Sequence, residues 1–243
     1  MREFLVFVLH APIAALGGVA VGERRSSETR PARSALLGLL AAALGIERTE
    51  EERHVAMERG YGVAVRVDAA GTPLVDYHTA QVPPARRGQR HATRREELDA
   101  KPLETILSRR DYRTDALFTV AVWARADAPV TLDALSEALR QPRFCLSLGR
   151  KSCPLGLPPA PAVVCAEHAL GAMQARAEPE PERLLRHALR ARPSVLATDV
   201  DGMPDDVRWR WTEARRDSIS SRNRWQFALR SERVFDLPLD SPS

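Results

Sequence analysis

The amino-acid sequence predicts an α+β protein built on one sheet with helices packed on one face. Three observations support this fold class: an almost continuously apolar segment at 3–12, a helix rich in small residues at 34–45, and two further strands at 61–68 and 116–125. A helix at 131–142 follows the last of these strands. This strand–helix–strand, strand–helix order is typical of a ferredoxin-like core.

The first two elements have clear boundaries. The segment "EFLVFVLHAP" (3–12) is apolar at nearly every position and ends at Pro12, which predicts a strand buried on both faces. The helix at 34–45 has Ser34 as its expected N-cap and Gly45 near its end. Its alanines and glycines favour close packing on the sheet.

The later elements follow the same patterns. "YGVAVRVD" (61–68) alternates apolar and polar residues, and "ALFTVAVWAR" (116–125) is again strand-like. The helix at 131–142 is stopped by Pro142. In the C-terminal third, 177–194 joins an acidic, proline-rich start to a basic helical run, and 224–238 has the pattern of one or two more strands.

A long polar insertion separates the second and third strands. Residues 83–113 hold eight arginines and one lysine against five acids, a net charge of +4 that equals the excess of the whole chain. A connection of this length is usually functional or disordered, so we predict a thumb-like arm, with a flexible charged loop as the alternative. The expected organisation is a core of 1–82 and 114–165, an inserted arm at 83–113, and a less certain β-rich part at 166–243 packed on the core.

The composition favours a soluble protein with an anionic partner. With 44% hydrophobic and 28% charged residues, the 243-residue chain is ordinary for a globular protein. Of its 36 basic residues only Lys101 and Lys151 are lysines. Arginine is the better bidentate partner for phosphate and also stacks on bases, although a GC-rich genome would produce the same bias.

Cysteine usage and hydropathy exclude other classes. The three cysteines form no CxxC pair, which argues against a zinc site or a disulfide framework and fits a reducing cytoplasm. No signal peptide is expected, and the longest apolar run, at 35–46, is shorter than a bilayer requires. We therefore expect no metal, no cofactor and no membrane partner.

Three basic clusters are the candidate binding residues. The first lies in the connector before the helix at 34–45, where a helix N-terminus favours an anion, and comprises Arg24, Arg25, Arg30, Arg33 and Ser34. The second lies in the arm and comprises Arg86, Arg87, Arg109, Arg110 and Arg113. The third, with no acid between 140 and 151, comprises Arg140, Arg143, Arg150 and Lys151, followed by Ser152.

Gly149 precedes this last group, and a glycine there lets the backbone approach a ligand closely. The stretch is not a nucleotide-hydrolysing P-loop, because Arg150 separates Gly149 from Lys151. Acid–base chemistry is weakly indicated: "DYHT" places His78 beside Tyr77, and Lys101, Tyr112 and Lys151 are further candidate groups. A metal-independent ribonuclease needs such a general acid or base, whereas the alternative role for a lone histidine is a structural hydrogen bond.

Four blocks taken in order resemble a known family. "TRPARSALLGLLAAALGIER" (29–48), "DYHT" (76–79), "KPLETILSRRDYRTDALFTVAVW" (101–123) and "QPRFCLSLGRKSCPL" (141–155) are similar to the CasD family of the type I-E CRISPR surveillance complex Cascade, in the RAMP superfamily. The resemblance covers roughly residues 1–165. It departs at "ALGG" (15–18), where family members often have a tryptophan before the glycine.

The resemblance implies a ferredoxin-like, RNA-recognition-like core with a thumb-like hairpin, and a cytoplasmic, non-catalytic role. Such a subunit grips the 5′ handle of the CRISPR RNA, caps the filament of backbone subunits and docks the large subunit, contacting target DNA indirectly. The handle residues it implies are Arg24, Arg25, Arg30, Arg33, Ser34, His78, Arg143, Arg150, Lys151 and Ser152, and the arm residues facing the guide or a neighbouring subunit are Arg86, Arg87, Arg109 and Arg110.

Two other functions remain open from the sequence. Relatives in another CRISPR subtype cut their repeat RNA, so a metal-independent CRISPR-repeat endoribonuclease is the main alternative. A protein that serves assembly alone, with its basic surface against an acidic partner, is the third.

Overall fold

The computed structural model describes residues 1–237 except 19, 21, 86, 87, 89, 205, 206 and 208. Within these residues the strands are β1 (Arg2–Ala14), β2 (Arg24–Arg25), β3 (Tyr61–Ala69), β4 (Thr72–Val82), β5 (Glu104–Ala124), β6 (Ala162–Ala166), β7 (Val195–Thr198), β8 (Trp211–Ser221) and β9 (Gln226–Asp236). The helices are α1 (Arg33–Leu44), α2 (Glu51–Gly60), α3 (Arg94–Asp99), α4 (Leu132–Arg140), α5 (Ala169–Ala175) and α6 (Glu180–Ala188), with a 3₁₀ turn at Val200–Gly202. None of the helices in this part of the chain has the length and apolar character needed to cross a bilayer.

The centre of the molecule is an antiparallel sheet with the order β6–β1–β5–β3. Helices α1 and α2 connect β1 to β3, and α4 connects β5 to β6, which is the predicted ferredoxin-like arrangement. The C-terminal strands extend the same sheet beyond β3 in the order β7–β9–β8. The α+β fold class is therefore confirmed.

Both faces of the central sheet are covered. The segment from Phe4 to Ala11 is buried at every position, as expected for a strand between two layers. Leu5, Phe7 and Leu9 face the core formed with α1 and α4, whereas Phe4 and Val6 face a second core. The prediction that helices occupy one face was wrong, because α5 packs on the second face, where residues of the C-terminal strands extend the same apolar cluster.

Helix α1 ends as predicted but begins differently. Gly45 caps its C-terminus with a φ of 75°, and its N–H is directed to the carbonyls of Ala41 and Ala42. The predicted N-cap, Ser34, is wrong: the helix begins at Arg33, and its N-cap Ala32 has no side-chain acceptor. The carboxylate of Asp217 accepts the hydrogen bond from the Arg33 N–H at 2.8 Å instead. Helix α2 formed from a mixed-charge segment that the sequence pattern did not single out.

The basic insertion forms a two-stranded hairpin. Strand β4 pairs with the first half of the 21-residue strand β5, from Thr72 opposite Thr114 to Val82 opposite Glu104. The second half of β5 continues into the core between β1 and β3. The hairpin starts at Thr72, earlier than residue 83, because a solvent-exposed strand lacks the buried alternation that reveals a core strand.

Candidate nucleic-acid interface

A groove of about 730 Å³ lies where the connector after β1, the loop at 145–150 and the strands β8 and β9 meet. It brings together parts of two predicted clusters, since Arg25, Ser34 and Arg150 all line it. The groove is therefore the candidate site, and its walls come from segments far apart in the chain.

The loop carrying "GRKS" is tied to the connector by backbone contacts. The Ala15 N–H donates to the Leu148 carbonyl at 3.0 Å, and the Cys153 N–H donates to the Arg150 carbonyl at 2.9 Å. Gly149 has a φ of +98°, and a Cβ there would lie 1.9 Å from the Ala15 carbonyl oxygen. Gly149 was expected to let the backbone approach a ligand, but it packs closely against the protein's own backbone instead. Lys151 and Ser152, the next residues of the turn after Arg150, are exposed.

The connector also meets the base of the hairpin. Strand β2 pairs in parallel with β5, placing Arg24 beside Arg109 and Arg25 beside Arg110. Because side chains alternate across a strand, Arg25 and Arg110 lie on one face and Arg24 and Arg109 on the other. The first and second predicted clusters therefore converge at this point.

The two faces of the hairpin base differ in charge. On one face Arg24 donates to Asp111 at 2.8 and 3.0 Å, and Arg109 donates to the same carboxylate at 3.3 Å. The Arg24 hydrogen bond is the main reason that the pKa of Asp111 lies below its ordinary value, with Arg109 adding to it. Asp111 thus offsets part of the positive charge on this face.

The opposite face keeps its positive charge. Arg25 and Arg110 have no carboxylate partner among the described residues, and the Arg150 guanidinium carbon lies 4.7 Å from the ring centre of Tyr112. The Arg150 Nη1 atom is buried without a hydrogen-bond partner in the described structure. We call Arg25, Arg110, Tyr112 and Arg150 the arm-base cluster. Its three guanidinium groups have no carboxylate partner among the described residues, Arg25 donates to the Gly22 and Arg24 carbonyls, and Arg150 lies over the Tyr112 ring.

Arg30 and Arg33 lie inside the protein instead of at the groove. They are 8% and 3% exposed, and both are held by carboxylates from the C-terminal part. Arg30 donates to Glu213 at 2.5 Å and also pairs with Glu232, while Arg33 donates to Asp199 at 3.1 Å. A buried arginine requires such partners. We therefore assign these two residues to the folded interior, a correction to their expected place on a binding surface.

The remaining predicted residues lie in separate places. Ser34 lines the groove from α1, whereas Arg143 packs against Gly45 at the C-terminal end of that helix. His78 is half-exposed on β4, and its Nδ1 lies 3.1 Å from Asp76. The residues Arg86 and Arg87 fall outside the described part of the chain.

One further wall of the groove has no signal in the sequence pattern. The turn between β8 and β9 contributes Arg222 and Trp225, and the start of β9 contributes Phe227. Arg48, in the segment after α1, contacts the Trp225 ring. An isolated "RNRW" tetrapeptide has no spacing that indicates a site, so tertiary contacts alone identify it. Among the described residues, no three His, Cys, Asp or Glu side chains are grouped in a way that could hold a metal ion.

The fold and the groove together define a ferredoxin-like protein with an inserted basic hairpin. The chain belongs to the family described as CRISPR-associated protein (Cas_Cas5), whose family model matches residues 4–234. That match extends past residue 165, where the resemblance from sequence blocks ended.

Individual relatives agree with this family. The chain is 36% identical over 166 residues to the CRISPR system Cascade subunit CasD of Escherichia coli (strain K12), covering 65% of this chain and 70% of that protein. Two solved structures share the fold. One, described as a CRISPR RNA-guided surveillance complex, is 20% identical with a TM-score of 0.59 over 97% of this chain and 90% of its own. The other, a Cas protein, is 24% identical with a TM-score of 0.60 over 98% and 96%.

Proposed function

We propose that this chain is a non-catalytic subunit of a type I-E CRISPR RNA-guided surveillance complex and binds the 5′ handle of the CRISPR RNA. In this role it caps the filament of backbone subunits and docks the large subunit, which brings it close to target DNA. Kinship with the Escherichia coli CasD subunit supports its place in such a complex. The family resemblance supports the handle as its ligand.

The observation that carries the proposal is the arm-base cluster. Three arginines from three separate segments meet there without a carboxylate partner among the described residues. An RNA phosphate supplies the missing anion, and guanidinium and phenol planes stack on unpaired bases. A short single-stranded handle fits this surface better than a duplex, which presents its bases stacked and paired.

Exposed apolar residues on the hairpin support a second part of the proposal. Val75, Tyr77 and Leu107 are 40%, 71% and 54% exposed, and the strand pairing places all three on one face of the hairpin. Apolar residues gathered on a projecting hairpin are typical of a surface that another protein covers. We assign this surface to a neighbouring subunit of the complex.

The proposal is tested by binding of the full chain to a labelled synthetic RNA copying the repeat-derived 5′ end of the CRISPR RNA from the same genome. Replacing Arg25 and Arg110 by glutamine should weaken binding by roughly tenfold or more and reduce the slope of log K against log salt by about two. The matched control changes Arg53 and Arg183, exposed arginines on α2 and α6, to glutamine. Equal losses in both pairs, or no loss in the first, would contradict the handle site.

A cleavage assay separates this proposal from the endoribonuclease alternative. The full chain is incubated with the complete repeat RNA and a metal chelator. We expect intact RNA. Specific cleavage that disappears in His78→Ala would replace the binding function with a catalytic one, because His78 would then act as the general acid or base.

A further inference from the structure

The turn between β8 and β9 presents an exposed tryptophan with two arginines. Trp225 is 53% exposed, and the guanidinium carbons of Arg48 and Arg222 lie 3.9 and 4.7 Å from its ring centre. Phe227 lies behind it, with 6.1 Å between the two ring centres. We call Arg48, Arg222 and Trp225 the Trp225 cluster.

The two arginines of this cluster have no carboxylate partner among the described residues. Burial, followed by the charge of Arg48, lowers the pKa of Arg222 from its ordinary value. The Arg222 Nε atom is also buried without a hydrogen-bond partner in the described structure. Cation–π contacts with the indole offset part of the free-energy cost of burying Arg222 beside Arg48. The two like charges still favour the binding of an anion between them.

The backbone at Trp225 is held in an unfavourable conformation. Its φ of +51° lies in the left-handed region, which a bulky residue rarely adopts. Such strain persists where the surrounding structure enforces it, and it occurs often at functional sites. Here the strained residue is the exposed tryptophan itself.

The Trp225 cluster and the arm-base cluster belong to one groove. Arg25 and Arg150 line it together with Arg222, Trp225 and Phe227. Small residues of α1 also line it, among them Gly38, where an added Cβ would lie 3.5 Å from the Arg222 side chain, and Ala42. A single strand of RNA held by the arm-base cluster is therefore able to continue along the groove to Trp225.

We propose that the Trp225 cluster binds one unpaired nucleotide of the bound RNA. The base stacks on the indole–guanidinium surface, and the phosphate of that nucleotide pairs with Arg48 and Arg222. This inference rests on the proposed function, since the RNA must already lie in the groove. It assigns to the C-terminal hairpin a direct part in RNA binding.

Removal of single bases tests the inference. A series of handle RNAs, each with one abasic nucleotide, is bound to the full wild-type chain and to Trp225→Leu. We expect one position at which loss of the base weakens wild-type binding by about 5- to 150-fold, the range for stacking on an aromatic side chain. Trp225→Leu should bind the intact RNA with a similar loss and show no further loss at that position, whereas Trp225→Phe should retain most of the effect.

Trp211 provides a matched control. It is 38% exposed, and the Arg210 guanidinium carbon lies 4.9 Å from its ring centre, but it does not line the groove in the described structure. Trp211→Leu should show the wild-type abasic profile.

The outcomes separate this inference from the function on which it rests. If Arg25 and Arg110 are needed for binding while Trp225→Leu keeps wild-type affinity and the wild-type abasic profile, the inference is overturned and the handle site stands. If the wild-type chain does not bind the handle RNA, both are overturned. A crosslink between the Trp225 peptide and 4-thiouridine at the sensitive position would support the stacked nucleotide.

Discussion

Single glycines determine how the groove closes. At Gly149 the 145–152 loop packs against Ala15, next to the end of β1. This position requires glycine for two reasons: its φ is positive, and the contact with Ala15 leaves no room for a methyl group. Gly22, in the connector, also has a positive φ, +74°, but no atom lies within 4 Å of a Cβ placed there. A side chain at Gly22 would therefore introduce backbone strain alone, whereas a side chain at Gly149 would introduce both strain and a steric clash.

We predict that Gly149→Ala destabilises the protein by about 3 kcal/mol, because both strain and a clash with backbone arise. Gly22→Ala should cost about 1 kcal/mol, the strain alone. Urea unfolding of the two variants measures the difference. Equal losses would show that the loop moves away from Ala15 without cost.

Arginine residues of the same short connector have opposite fates. Arg25 is exposed without a carboxylate partner among the described residues, whereas Arg30, five positions later, pairs with Glu232 in the interior. The Arg30 and Glu232 side chains meet across 202 residues of sequence. Local sequence cannot distinguish these roles, since the deciding partner is remote.

At the scale of elements, a buried ion network attaches α6 to the second face of the sheet. Glu182 accepts from Arg176 at 2.6 Å and from Arg186 at 2.8 Å, and Arg186 also pairs with Asp68 of β3 at 3.0 Å. Burial alone would raise the pKa of Glu182, but the two arginines outweigh it and lower the pKa below its ordinary value of 4.5. The charged form is thus stabilised by folding.

A pH dependence follows from this network. A carboxylate with a lowered pKa contributes stability above pH 4.5, and that contribution is lost as the pH falls through the folded-state pKa. We predict that Glu182→Gln costs about 3 kcal/mol at pH 7, because it leaves two buried cations without their partner. The difference in the free energy of unfolding between wild type and Glu182→Gln should become smaller as the pH falls below 4.5.

Urea unfolding across this pH range measures the effect. Glu180→Gln is the control, since Glu180 is exposed on the same helix and should change stability by about 0.5 kcal/mol or less. A gap between wild type and Glu182→Gln that stays constant with pH would contradict the role assigned to the network.

At the scale of the whole molecule, the C-terminal part completes the fold. Met173 of α5 packs on the second face of the sheet beside Phe4 and Trp123, and Leu196 and Phe235 of the C-terminal strands extend the same apolar cluster. Strand β7 also pairs with β3, whose edge would otherwise carry unpaired backbone groups. Without the C-terminal part, the ferredoxin-like core would therefore expose the apolar second face of its sheet and the edge of β3.

We predict that a chain ending at residue 165 does not fold cooperatively, because its second face would expose a large apolar surface. Thermal unfolding followed by near-ultraviolet circular dichroism should show no sharp transition for this chain. A chain ending at residue 237, which keeps β9, should unfold as the full chain does. A cooperative transition for residues 1–165 would contradict the dependence on the C-terminal part.

Much of the central architecture was accessible from local patterns. The continuous apolar run at 3–12 indicated a strand between two layers, and Gly45 marked the end of α1. The sequence pattern did not predict β4, the first strand of the hairpin, because its exposed residues form no buried face. The sequence pattern also did not predict the packing on the second face, because that packing depends on segments from the last third of the chain.

The sequence by itself determined the family, the core elements and the excess of arginine, because these follow from motifs and periodicities within short stretches. The tertiary structure alone decided which arginines remain available for a ligand. It directed Arg30 and Arg33 to carboxylates of the C-terminal part, and it grouped Arg25 with Arg110 and Trp225 with Arg48. The physical reason is that the charge state of a site depends on burial and on ion partners, and both are set by segments distant in the chain.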